Sequence, residues 1–309
     1  EKIIINLINF FSKNYNIKIF LISTLNTQLK QFKNIKNVKL IQAKNKKSFL
    51  VSNRISTSFN CLNPLKSLLK KLDKNNTVVH SMQSSFFPIL LCKLKGFKIV
   101  IRNSEDPIHS IRYADNKISS YIIFILRFFF YNLADLIVTN SKGSSSSIKF
   151  FLFGSNIMKV KSIYNPYLKE KIIRKNNSKK NVILGVGRLT SQKNFEDLIY
   201  AFSKFSMKHK NYILNIIGDG YQMSYLREIV KKLNLENRVF LKGYKKNVEK
   251  EYMRAKIFVL PSVYEGLGNV LIDALRLSIP CISTNCKSGP EEILCYGKGG
   301  IVVQKKNIK

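Results

Sequence analysis

The chain reads as an α/β protein of two domains, each a parallel sheet covered by helices. Three observations predict it. Short apolar runs rich in β-branched residues alternate with stretches whose apolar residues recur every three or four positions. Some of the runs, Val182–Val186 above all, are unbroken, which suits a central strand buried on both faces. A polar, charged stretch, residues 167–180 (YLKEKIIRKNNSKK), divides the alternation in two. At 309 residues the chain is long enough to bury two cores.

Taken in order, the first element is a helix, because Ile4, Leu7, Ile8 and Phe11 fall at helical spacing. Strands follow at Ile17–Ser23 and Val38–Gln42, then a helix over Pro64–Leu72 and a strand at Thr77–His80. Next come a helix over Phe86–Leu94, a strand at Lys98–Arg102 and a long helix over Ile118–Leu133. Leu136–Thr139 is a strand, residues 140–151 open a further helix, and Val160–Tyr164 ends the domain at Asn165-Pro166. The expected division is therefore 1–166, a linker at 167–180, and 181–309. The second domain starts on the strand Val182–Val186 and continues with strands near 212–217, 238–242, 257–260, 280–283 and 301–303. A domain of this kind is expected to begin with a strand and a glycine-rich loop, and to end in further helices. Both ends are accordingly read as truncated.

Composition narrows the class. A hydrophobic content of 45% with 11% aromatic residues excludes wholesale disorder. The net charge of +35 points first to nucleic acid. The charge is mostly Lys, however, scattered among Asn and Ile without the Arg–aromatic clusters of a nucleic-acid reader, so no nucleic-acid partner is expected. An anionic membrane surface fits better, since each Lys or Arg beside one contributes about 1 kcal/mol. Five cysteines without a CxxC pair argue against a disulfide framework or a zinc site and make a reducing cytoplasm the default. The most apolar stretch, Tyr121–Tyr131, is short for a bilayer span and contains Arg127, so it reads as a buried or surface-docking helix.

The stretch that carries chemistry is residues 256–293. Ile257–Leu260 is a strand stopped by Pro261, and Ser262–Gly268 is a loop holding Glu265 beside Gly266, Leu267 and Gly268. A helix starts near Asn269, with Val270, Leu271, Ala274, Leu275 and Leu277 at helical spacing. The glycines let backbone approach a ligand, and the first helical amides point at whatever fills the crevice. Asp273 lies eight residues beyond Glu265, about two turns or about 12 Å along if that segment is regular helix. Two acceptor-only carboxylates suit the hydroxyls of a sugar and of a ribose.

The letters EGLGNVLIDA, PCISTNC and SGPEEIL resemble the signature of the retaining nucleotide-sugar glycosyltransferases of family four. That family has two Rossmann-like domains facing across a cleft (the GT-B type). Its E-x7-E motif stands here as Glu265…Asp273, one methylene short at the second position. The resemblance implies transfer of a sugar from a nucleotide donor to a hydroxyl acceptor with retained configuration. No metal or cofactor is implied, and UDP is favoured over GDP. It gives Glu265 the donor-sugar hydroxyls and Asp273 the ribose, and implies a glycan or lipid-linked glycan acceptor.

Gly187-Arg188-Leu189 and Gln192-Lys193-Asn194 follow the first strand of the second domain and resemble the family's donor-diphosphate loop. Arg188 and Lys193 carry the fork of donors and the compact charge that a diphosphate requires. Both are expected in an open cleft, so replacing either with alanine is expected to leave stability nearly unchanged. Gly218-Asp219-Gly220 and Gly243-Tyr244 end later strands and, by resemblance, line the nucleotide cleft; as plain residues they read equally as tight turns. Where the family carries a histidine near the donor sugar, this chain has Arg102-Asn103, which with His109 are candidates for the acceptor side. The rival readings are a nucleotide-sugar epimerase, a sugar phosphorylase of the same fold, and a non-enzymatic basic binder.

Overall fold

The computed structural model describes residues 2–24, 32, 35, 37–44, 53–82, 86–112, 117–166, 181–286 and 288–305. The expected linker, 167–180, lies outside the described residues. The chain divides into two compact units. The first is Glu1–Pro107, Asn116–Asn140 and Ser144–Leu168; the second is Ile108–Asp115, Ser141–Gly143 and Lys169–Lys309. Both are built from parallel strands and helices, as the alternation in the sequence predicts.

In the first unit, α1 (Lys2–Asn14) leads to β1 (Ile19–Ser23) and β2 (Val38–Gln42), which pair in parallel. Then come α2 (Asn53–Asn60), α3 (Leu62–Leu69), β3 (Val78–Met82), α4 (Phe86–Leu94) and β4 (Lys98–Asn103). The chain continues through α5 (Pro107–Arg112), which from Ile108 on groups with the second unit, then α6 (Lys117–Phe130), β5 (Leu136–Thr139), α7 (Lys142–Lys149) and β6 (Val160–Ser162). Strands β3, β4, β5 and β6 form a parallel sheet in that order. Its core joins Ile99 and Ile101 of β4 and Ile137 of β5 to Phe86, Ile89 and Cys92 of α4, with Ile123 of α6.

The second unit runs β7 (Val182–Val186), α8 (Phe195–Lys208), β8 (Ile213–Ile217), α9 (Met223–Lys232) and β9 (Val239–Leu241). Next come α10 (Glu249–Arg254), β10 (Ile257–Leu260), α11 (Asn269–Arg276), β11 (Cys281–Thr284), α12 (Pro290–Ile293) and β12 (Ile301–Val303). The strands lie in the order β12-β11-β10-β7-β8-β9, all parallel. The chain starts at the centre, builds outward on one side, returns to pair β10 with β7, and builds outward on the other. Parallel crossovers are right-handed, so reversing direction puts the later helices on the opposite face. The cores show this division. Ile183, Leu214 and Ile216 pack with α8 and α9, whereas their neighbours Leu184 and Ile217 pack with Leu271 and Ala274 of α11.

Candidate active site

Ligands of doubly wound sheets sit beyond the carboxyl ends of the strands where the order reverses. Here that point is between β7 and β10, which are hydrogen-bonded neighbours. The loops leaving them, 187–194 and 261–268, lead to helices that pack on opposite faces of the sheet, the arrangement in which a crevice is expected between the loop starts. Gln192 laces the two together. Its carbonyl accepts from the Val263 amide at 2.9 Å, and its side-chain Nε2 donates to the Tyr264 carbonyl at 3.0 Å.

Lys193 and Glu265 meet across this join. Lys193 Nζ forms a short ion pair with Glu265 Oε1, and both residues are buried. The same oxygen accepts from Ser262 Oγ at 2.7 Å, and Ser288 Oγ donates to the Glu265 carbonyl at 2.7 Å. The expectation that Lys193 lies in an open cleft is therefore corrected. It is a buried cation held by a buried carboxylate, so its removal is expected to act on stability. Arg188 is exposed, and its Nη2 donates to Gln192 Oε1 at 3.2 Å.

The glycine loops after β7, β8 and β9 are pressed together at the same edge. The Gly187 amide donates to the Ile217 carbonyl at 3.0 Å, and the Gly218 amide to the Gly243 carbonyl at 3.0 Å. Asp219 accepts the Leu189 amide on its carbonyl at 2.9 Å and the Gly220 amide on its side chain at 2.8 Å. Asp219 and Gly220 thus shape the loop floor, while Tyr244 is exposed beside Gly243.

On the other side, Gly268 with φ 88° ends the loop and caps α11, so the helix begins only at Asn269. This corrects the separation expected along the motif. Residues 265–268 are loop, so Asp273 lies one turn, about 6 Å, beyond the helix start and not two turns beyond Glu265. Asp273 is half-buried and forms no ion pair among the described residues. Leu267 is buried, and a side chain on Gly289 would strike its backbone at 2.4 Å. With Gly266, Leu267 carries the chain from Glu265 to Gly268, where the helix is capped.

Local sequence left out the residues that hold Glu265 in place. Ser262, Ser288 and Cys286 surround it, and Cys286 Sγ donates to the Ser262 carbonyl at 3.1 Å. Burial, with the Glu265 carboxylate next in importance, pushes the Cys286 thiol up to about 12, so it stays protonated and is no nucleophile. The letters STNC and SGP were the available signal, but nothing in them says which carboxylate they serve.

Arg102 and Asn103 of the first unit are engaged internally. Arg102 is buried, and its Nη2 donates to the Ile163 carbonyl at 3.1 Å and to Asn165 Oδ1 at 2.9 Å. Asn103 is buried and donates to the Glu105 carbonyl. Arg127, which in sequence only argued against a membrane span, pairs with Glu105 Oε1 at 2.7 Å and donates to the Pro107 carbonyl at 3.1 Å. His109 lies half-buried on α5, in a segment that groups with the second unit.

A two-unit α/β chain with charged loops at the switch point of a doubly wound sheet has the form of a GT-B glycosyltransferase. Residues 168–309 match the model of the family described as glycosyl transferases group 1. An uncharacterized glycosyltransferase of Methanocaldococcus jannaschii is 34% identical over 250 residues, covering 71% of this chain and 60% of that protein. The N-acetylgalactosamine-N,N'-diacetylbacillosaminyl-diphospho-undecaprenol 4-alpha-N-acetylgalactosaminyltransferase of Campylobacter jejuni is 32% identical over 222 residues, with the same 71% and 60% coverage. The chain spans 60% of the length of each of these relatives. Among solved structures, the lipopolysaccharide outer core galactosyltransferase WaaB matches with TM-score 0.69 and 22% identity, over 99% of this chain and 82% of that one. Anabaena HepE in complex with UDP and glucose matches with TM-score 0.71 and 16% identity, over 99% and 83%. At these identities the likeness is one of fold.

Proposed function

We propose that the protein transfers a sugar from a nucleotide-sugar donor to a hydroxyl acceptor with retention of configuration. The observation that carries this reading is the Lys193–Glu265 pair, built at the reversal point of the second sheet among glycine loops. Glu265 Oε1 is occupied by Lys193 and Ser262, which leaves Oε2 for donor-sugar hydroxyls. Lys193 has three N–H donors and gives one to Glu265, so the others can meet the diphosphate together with Arg188. The main chains of Gly187, Gly218, Gly243 and Gly266 admit the nucleotide, and Asp273 takes the ribose. Support for UDP comes from the bound UDP of the HepE complex. Support for a lipid-linked acceptor comes from the diphospho-undecaprenol substrate in the Campylobacter relative's name. Arg102, Asn103 and His109 remain candidates for the acceptor side. Such an acceptor would put the protein at the cytoplasmic face of a membrane. No bound cofactor is called for.

In the step itself the bond from the anomeric carbon to the phosphate oxygen breaks, and the bond to the acceptor oxygen forms on the same face. The acceptor proton passes to the departing phosphate. Positive charge at Arg188 and Lys193 then stabilises the leaving group electrostatically. Arg188→Ala is expected to slow transfer about ten- to a hundred-fold, from a charged hydrogen bond worth about 1.5–3 kcal/mol. Its unfolding midpoint should not move, because the side chain is exposed. Transfer at the parent rate would remove Arg188 from the site.

The experiment for the whole reading is a panel of nucleotide sugars, scored first by thermal shift and then by product formation with a lipid-linked acceptor. Failure of every nucleotide to stabilise the protein would overturn it. Within that panel, Asp273→Ala is expected to weaken nucleotide diphosphate binding, while Asp273→Glu keeps or tightens it. A shorter carboxylate one turn into α11 reaches a ribose through a water, and the longer one replaces that water. Equal affinity of wild type and Asp273→Ala in a nucleotide titration would leave Asp273 a solvated helix residue.

A further inference from the structure

Helix α6 presents a face that its own unit does not cover. Ile118, Tyr121, Ile122, Ile125 and Phe129 recur at three- and four-residue spacing and are all exposed, Ile118 to 77%, Tyr121 to 62% and Phe129 to 69%. No polar side chain interrupts that stripe. The opposite side of the helix is fixed: Ile123 and Arg127 are buried, and Arg127 is bonded to Glu105 and to the Pro107 carbonyl. The stripe is thus held outward by a packed and hydrogen-bonded inner face. Ring contacts extend it sideways. Phe128 lies 5.7 Å from Phe150 and 6.0 Å from Phe153, and these two are 59% and 61% exposed. Exposed apolar surface of this extent calls for a partner.

Charge selects the partner. Lys117 opens the helix, Lys149 precedes Phe150, and Lys159 reaches the Asn132 carbonyl just past the helix end. Between residues 117 and 166 the one carboxylate is Asp135, which is paired with Lys93. An apolar, aromatic face with Lys117 and Lys149 among its described neighbours matches a layer with an apolar interior, an interface favourable to aromatic rings, and an anionic surface. A second copy of the chain would set one cationic rim against another. At 14 residues the helix is about 21 Å long, short of the roughly 30 Å core of a bilayer, so it would lie along the surface and not across it.

We propose that the outer face of α6, with Phe150 and Phe153, docks the first unit on an anionic membrane surface. This rests on the proposed activity only in giving the docking its purpose, access to a lipid-borne acceptor. The face binds lipid whether or not that activity is right.

The test is co-sedimentation of the 309-residue chain with vesicles of phosphatidylglycerol and phosphatidylcholine, against phosphatidylcholine alone. The protein should sediment with the anionic vesicles and be released by salt. Ile122→Ser with Phe129→Ser should weaken binding about ten-fold or more, from the lost apolar burial. Lys117→Glu with Lys149→Glu should weaken it at least about twenty-five-fold, about five-fold for each cation lost at the surface. Thermal unfolding and nucleotide titration of all three proteins should agree, since the altered side chains point outward from the first unit. Nucleotide binding without vesicle binding would sink the docking face and leave the activity standing. Vesicle binding unchanged in both double variants would also sink it. So would self-association that Phe129→Ser abolishes in a protein that ignores vesicles.

Discussion

Lys193→Ala is expected to cost about 3–5 kcal/mol of folding stability and to lower sugar transfer by about a hundred-fold or more. The two effects have one cause. Glu265 is buried and ion-paired with Lys193, so the truncated variant strands a buried carboxylate without its cation. Ser262 Oγ still donates to it at 2.7 Å, but a neutral hydroxyl does not replace a cation. Removing both charges should separate the effects. Lys193→Met combined with Glu265→Gln is expected to regain most of the stability while transfer stays lost, because an apolar replacement of a buried pair is often neutral. Chemical denaturation of the three proteins decides the matter. A loss of less than about 1 kcal/mol in Lys193→Ala would place the pair in the class of solvated surface bridges and remove its claim to order the crevice.

Why that pair was out of reach of the sequence is instructive. Both partners were legible as single residues, Lys193 from its diphosphate-like loop and Glu265 from its motif. Their contact spans 72 residues and exists because β10 returns to pair with β7. Strand order is a property of the whole sheet, and no local periodicity encodes it. Elements with strong local signals came through well: the apolar run Val182–Val186 and the helix Phe86–Leu94 both stand at their expected bounds. Helix α2 was missed because Asn53–Asn60 is rich in Ser and Asn, which favour turns over helix interiors, and tertiary packing through Ile55 overrides that preference. Helix α5 was missed because six residues carry less than two turns of periodicity. Arg102 and Asn103 stand at a strand end as candidates for the acceptor side. Their bonds go to Ile163, Asn165 and Glu105, which position alone could not foretell.

Gly218→Ala is expected to do more damage than any other single methyl group added to the nucleotide loops. A Cβ at position 218 would sit 1.7 Å from the Gly187 carbonyl oxygen and 2.8 Å from its carbon, and φ there is +148°. Overpacking against backbone and forcing a side chain into that conformation each cost about 1–3 kcal/mol, so about 2–6 kcal/mol is at stake. The chain can relieve the clash only by moving Gly187 away. That pulls on the hydrogen bonds donated by the Gly187 amide to the Ile217 carbonyl and by the Gly218 amide to the Gly243 carbonyl, which hold the ends of β7, β8 and β9 level. Arg188 and Lys193 follow in the same loop, so nucleotide binding should fall along with stability. Gly243→Ala is the matched control, because a Cβ there meets nothing within 4 Å and only its φ of +66° opposes the change. Its cost should be about 1 kcal/mol, with nucleotide affinity nearly kept. The two variants are compared by urea denaturation and by titration with nucleotide diphosphate. If Gly218→Ala matched Gly243→Ala in both, the loops after β7 and β8 would not be in the close contact on which the crevice depends.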